Sequence, residues 1–121
     1  MIIIKNVERS DESQEEADVT ISDGTYSVMC FSSSFMLKTN DEFKDKIYCF
    51  DVEDLCIATK SEPIVEKKDD FYEVFIRGKL EEENSVVYVG ELVIDISEAH
   101  IPKDICGGDM IEFSSSRLDI Y

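Results

Sequence analysis

The chain has 121 residues, with 28 aspartates and glutamates against 12 lysines and arginines and a formal net charge of −16. Its length suits one domain over residues 1–121, and a composition 43% hydrophobic argues for a packed core rather than an acidic tail. The charge disfavours direct nucleic-acid binding and attachment to anionic membranes, whereas a strongly negative surface attracts cationic partners and speeds their encounter.

Taken in chain order, apolar residues alternate with a period of two, which predicts strands. Met1 to Val7 is the first, and Lys5, Glu8 and Arg9 end its apolar run too early for a signal-peptide core. No stretch nears the roughly 20 apolar residues of a membrane span, so the expected location is the cytoplasm. Ala17 to Phe31 reads as a hairpin about Asp23-Gly24, a favoured two-residue turn. That register sets Ile21 opposite Tyr26, Val19 opposite Val28 and Ala17 opposite Cys30. The other face then pairs Ser22 with Thr25 and Thr20 with Ser27, as a half-buried hairpin requires.

Thr39 and Glu42 have capping-box spacing for a brief helix before a third strand, Lys46 to Ala58. Phe71 to Ile96 reads as a second hairpin with a loop of Glu82, Glu83 and Asn84, setting Leu80 opposite Val86, Ile76 opposite Gly90 and Val74 opposite Leu92. Gly78 and Gly90 inside those strands mark bends, and bends favour a barrel over a flat sheet. Ser97 to Cys106 is a long connection with room for one helical turn, and Asp109 to Tyr121 is the final strand. The expected fold is all-β: a small antiparallel barrel of about five to seven strands, with two hairpins and at most one or two short helical turns.

The stretch Val19-Thr20-Ile21-Ser22-Asp23-Gly24-Thr25, with Tyr26 to Phe31, resembles the first hairpin of OB-fold barrels. Gly108-Asp109 leading into Met110-Ile111-Glu112-Phe113 resembles a strand start common in small barrels. The resemblance implies an OB-like barrel. Such barrels most often bind oligonucleotides or oligosaccharides through a basic, aromatic-bearing face, and this chain departs from them in charge.

Signatures of chemistry are missing: no GxSxG elbow, phosphate-binding glycine loop, HExxH or EF-hand loop occurs. No enzymatic activity, metal or other cofactor is expected. Cys30, Cys49, Cys56 and Cys106 form no CxxC pair and fit no zinc module, so reduced thiols acting as small core residues are expected. His100 is the single histidine and reads as a solvated side chain.

Three acidic groups fall in predicted loops and are the candidate partner-binding residues. Glu8, Asp11, Glu12, Glu15, Glu16 and Asp18 precede the first hairpin; Asp41, Glu42 and Asp45 precede the third strand; Glu81, Glu82 and Glu83 cap the second hairpin. Two groups at one barrel end would make an anionic patch, with Tyr26, Phe35, Tyr48 and Tyr121 as candidate anchors. In size, acidity and lack of catalytic residues the chain resembles the immunity proteins that bacteria make against basic nuclease toxins. That resemblance implies a stoichiometric inhibitor whose carboxylates engage a basic protein. Two alternatives stand beside it: a general adaptor or assembly subunit, and an OB-like nucleic-acid or ligand module using Lys60, Lys67, Lys68, Arg77 and Lys79 with Phe71 and Phe75.

Overall fold

The computed structural model describes residues 1–9, 16–33, 37–68, 72–81, 83 and 85–121. Nine strands form among them: β1 (Ile3–Arg9), β2 (Ala17–Ser22), β3 (Ser27–Ser32), β4 (Ile47–Ile57), β5 (Ile64–Lys67), β6 (Val74–Glu81), β7 (Val86–Val89), β8 (Leu92–Asp95) and β9 (Met110–Asp119). The sheet order is β1-β2-β3-β9-β4-β8-β7-β6-β5, and a further β9–β6 ladder closes β4, β8, β7, β6 and β9 into a five-strand ring. The expected all-β barrel therefore forms. Outside the ring, β5 extends β6, and the ribbon β1-β2-β3 joins β9 through the parallel pair Phe31 and Asp119. Apart from that pair and a short parallel contact of β4 with β8, the ladders are antiparallel.

One core serves ring and ribbon. Ile4, Ala17, Val19 and Ile21 of the ribbon are fully buried beside Ile76, Leu92, Ile94 and Ile111 of the ring. Fully burying a side chain of this size stabilises by about 1.5–3 kcal/mol, so the ribbon is held by packing far more than by its single bridge to β9.

The first hairpin forms in a register two residues wider than expected: Ile21 faces Val28, Val19 faces Cys30 and Ala17 faces Ser32. The cause is Asp23. Its carboxylate accepts the N–H groups of Thr25 and Tyr26 at 2.8 Å, which stabilises a four-residue turn in which Gly24 alone takes positive φ. A shift of two leaves every side chain on its expected face. The OB-like resemblance of this hairpin falls outside the closed ring.

The second hairpin differs more. Leu80 faces Val87, one residue from the expected partner, and the chain reverses again at Gly90 and Glu91 so that β7 and β8 pair with each other. Gly90 has φ +60°, and a Cβ there would collide with the Asp23 carboxylate and the Tyr26 ring. Ile76 and Val74, expected opposite Gly90 and Leu92, pair instead with Phe113 and Ser115 of β9. At Gly78 a Cβ would lie 2.6 Å from the Tyr88 carbonyl oxygen, so the glycine permits close approach of β7. Asn84 lies outside the described residues.

Among the described residues no helix occurs. The Thr39–Glu42 segment is a turn in which the Asp41 carboxylate accepts the Lys38 N–H at 2.8 Å. The chain then runs beside β1, where Ile4 N–H donates to Asp41 O and Phe43 N–H to Ile2 O. Burial of Phe43 and the need of β1's outer edge for partners favour this extended course over a helix.

Candidate functional site

The candidate site grows out of a kink shared by β4 and β9. In β4 the inward residues are Ile47, Cys49, Val52 and Leu55, so strict alternation breaks at Asp51 and again at Asp54, both with positive φ. In β9 the inward run Ile111, Phe113, Ser115 steps over Ser116 to Leu118. The two irregularities face each other, because Phe50 pairs with Arg117 and Val52 with Ser115 without loss of register. The Ser115 hydroxyl lies 2.9 Å from both the Phe50 and Arg117 carbonyl oxygens and donates a shared hydrogen bond across the kink. The result turns Phe50 and Arg117 outward together.

One row of cross-strand neighbours runs over this outer face. Glu8 faces Asp18, Asp18 faces Phe31, Phe31 faces Asp119, Asp119 faces Tyr48 and Tyr48 faces Asp95. Acids and aromatics thus interleave from β1 to β8. Phe50 is 51% exposed, Tyr48 36% and Tyr121 80%, and the Tyr48 and Tyr121 rings meet edge to face at 5.2 Å. Large exposed aromatics of this kind mark interaction surfaces more often than chance placement does.

Arg117 sits in the middle of the row. Its guanidinium carbon lies 4.7 Å from the Phe31 ring centre and 5.2 Å from that of Phe50, and it makes two hydrogen bonds to Asp119 at 2.6 and 3.1 Å. The Asp119 bond holds the Arg117 charge more firmly than usual, with burial opposing it. Tyr72 packs edge-on against Phe31 and donates its hydroxyl to Asp18 at 2.8 Å. Burial and that bond push the Tyr72 hydroxyl up.

The acidic residues expected at the site are dispersed. Glu8 and Asp18 come together, but in strands rather than a loop, because the β1–β2 ladder continues to Arg9 and Ala17. Glu16 lies half-buried just before β2. Asp11, Glu12, Glu15 and Glu82 lie outside the described residues, as do Phe35 and Phe71. Asp41 and Glu42 sit at the opposite end of β1, where Glu42 bridges to Ile3, and exposed Asp45 follows them. Glu81 ends β6 and accepts the Tyr88 hydroxyl at 2.6 Å, with Glu83 exposed in the turn beyond. The described members of the first two groups therefore occupy opposite ends of β1. The third lies near the start of β9, where Lys79 faces Met110, remote from the Phe31–Asp119 pair at its other end.

Sequence reasoning missed Phe31, Phe50, Arg117, Asp95 and Asp119. A signal was present in Tyr48-Cys49-Phe50, where two aromatics flank a small inward residue and so must face out. Two members of the alternative basic group are paired: Arg77 lies 3.0 Å from Glu112 and Lys68 3.7 Å from Glu73. The cysteines are free, with Cys30 buried, Cys49 half-buried, and Cys56 and Cys106 exposed. Only Cys30 belongs fully to the core. Among the described residues no group of three or more His, Cys, Asp or Glu is placed to hold a metal ion, and no helix is long and apolar enough to cross a membrane.

Fold and face together define a small all-β barrel with an acidic, aromatic outer surface. Comparison with protein-family models, curated proteins and solved structures finds no significant match for this chain.

Proposed function

We propose that this protein is a non-catalytic, cytoplasmic binding module that neutralises a basic protein, of the kind represented by a bacterial nuclease toxin, as a stoichiometric inhibitor. The observation that carries the reading is the row Glu8, Asp18, Phe31, Asp119, Tyr48 and Asp95, in which the exposed Glu8 and Tyr48 and the half-buried Asp18 and Phe31 share one face with the buried carboxylates of Asp119 and Asp95. Carboxylates set encounter rate and orientation, and aromatics supply the buried contact that retains a partner. On an immunity-type complex, the acids occupy the surface that a nuclease offers to phosphates. An OB-like description of the ring rests on its five strands and on the Gly108-Asp109 start of β9, and by itself it carries no function.

The test is capture of the partner followed by association kinetics across ionic strength. The expected partner is basic, and its association rate falls by about tenfold or more as salt rises from low to physiological levels. Glu8→Lys with Asp18→Lys lowers that rate further, whereas Asp41→Lys with Asp45→Lys changes it less. A partner without net positive charge, or a rate indifferent to salt, overturns the reading.

A further inference from the structure

We infer that the groove between β4 and the turn at residues 96–100 takes an arginine side chain of the partner, stacked against the Tyr48–Tyr121 pair. This inference rests on the basic-partner reading and names the group the surface recognises. The groove has a volume of about 620 Å3, and Tyr48, Phe50, Asp51, Glu98, His100 and Tyr121 are among its lining residues. Its aromatic walls, Tyr48, Phe50 and Tyr121, are all exposed.

The protein already shows, next door, how this surface holds a guanidinium. Arg117 lies between Phe31 and Phe50 while Asp119 accepts two of its N–H groups. The groove repeats those ingredients, and among the described residues no lysine or arginine lines it, the nearby Arg117 being held by Asp119. Tyr48 and Tyr121 provide ring faces, and Asp51 and Glu98 stand exposed at the groove. The buried carboxylates beside it are committed elsewhere: Asp119 to Arg117, and Asp95 to Ser97 and, at 3.7 Å, to Lys46. A partner's cation therefore meets the exposed pair of acids.

The chemistry selects arginine over lysine. A planar guanidinium can stack on a ring and still direct in-plane N–H groups to a carboxylate, and it sheds water more readily than an ammonium. A lysine in the same groove gains charge attraction but forms the stacked, forked arrangement poorly. Beside the groove, β4 pairs with β8 only at Ile47 and Tyr48, so the following residues of that edge leave room for the segment that carries the arginine.

The test uses the whole protein titrated with two capped peptides of equal length and charge, one of alternating glycine and arginine and one of alternating glycine and lysine. Binding is followed by amide chemical shifts. The arginine peptide is expected to bind about fivefold more tightly, with the largest shifts around Tyr48, Phe50 and Glu98. Tyr121→Ala and Phe50→Ala should abolish the preference while the melting temperature stays put, and Phe75→Ala, on β6 across β9 from β4, should leave the preference intact. Equal affinity for the two peptides, or a preference that survives Tyr121→Ala combined with Tyr48→Ala, overturns the arginine groove. Absence of binding by either peptide also overturns it. In each of those cases the basic-partner reading still stands if the captured partner's association responds to charge at Glu8 and Asp18.

Discussion

Strand β9 supplies the carboxylate to two arginine–phenylalanine units, and they sit in opposite electrostatic company. Toward the start of the strand, Glu112 binds Arg77, which lies over Phe75 at 5.7 Å. Toward its end, Asp119 binds Arg117, which lies over Phe31 and Phe50. Around the first unit Lys68 pairs with Glu73, exposed Lys67 and Lys79 lie nearby in sequence on β5 and β6, and Phe75 is half-buried. Around the second, the neighbours along the row are Asp18, Glu8 and Asp95, and Phe50 stands open to solvent while Phe31 is half-buried. The same local chemistry is thus self-contained at one end of the strand and, at the other, embedded in surplus negative charge. An arginine–phenylalanine contact does not itself mark a binding face; its surroundings do.

The largest expected difference is in stability. Arg117→Ala leaves Asp119, which is only 8% exposed, without its cation and near other carboxylates. The expected loss is about 2–3 kcal/mol. Arg77→Ala strips the cation from Glu112, whose side chain is 21% exposed, but in a neighbourhood that holds other lysines, and costs about 1–2 kcal/mol. Urea unfolding at low and high salt separates the two. Added salt recovers part of the Arg117→Ala loss, because it screens the surplus acids, and recovers little for Arg77→Ala. Equal losses with equal salt responses would erase the contrast.

Binding and stability should also trade places between the two phenylalanines. Phe75→Ala costs about 1–2 kcal/mol of stability through lost packing and leaves partner affinity unchanged. Phe50→Ala, on an exposed side chain, costs less than about 0.5 kcal/mol of stability. If Phe50 is an interface anchor, partner affinity falls about 30-fold, equivalent to about 2 kcal/mol. Calorimetric affinities beside melting curves of the two variants check both halves.

How much of this contrast was legible in the sequence follows from the range of each cause. Period-two alternation identified the segments that became β1, β2, β3, β4 and β9, since burial on one face is a local pattern. It kept the correct faces for the first hairpin even though the turn widened, because Asp23 moved the register by two. The second hairpin defeated the same reasoning. Val86 to Ile96 reads as one strand, whereas Gly90 takes φ +60° and the Glu91 N–H donates to the Asp23 carboxylate of a distant turn at 2.8 Å, contacts that hold the reversal there. The face itself was less legible still. Charge counting led to the acidic loops, whereas Phe31, Asp119 and Tyr48 become neighbours through pairings between segments remote in sequence. Arg117 faces outward beside Phe50 only because Asp51 and Ser116 break alternation opposite each other, and nothing in a single strand's pattern specifies that coincidence.

The smallest effect concerns whether the surplus charge is felt inside the barrel. Cys49 lies on β4 between Tyr48 and Phe50, and its thiol is pushed up to about 12, chiefly by burial. A hydrogen bond with Ser115 works against that rise, and the charges of Asp95 and Asp119 add to it. Burial likewise raises Cys30, whereas Cys56, further along the same strand, and Cys106 are exposed. A thiolate-directed reagent at about pH 8 should therefore label Cys56 and Cys106 in the native protein and spare the other two until unfolding. The consequence for stability has a definite sign. An unfolded chain ionises these thiols near their ordinary value of 9.0, while the folded protein retains their protons to higher pH. Stability is therefore whole below pH 9.0 and declines as pH rises toward 12, with a slope approaching about 1.4 kcal/mol per pH unit for each such thiol. Asp95→Asn keeps a side-chain oxygen that can accept from Ser97 but removes one of the charges acting on Cys49, so native-state labelling of Cys49 should quicken modestly while that of Cys56 stays unchanged. An unchanged Cys49 rate would mean that burial alone holds the proton, and that the acidic surplus acts only on what approaches from outside.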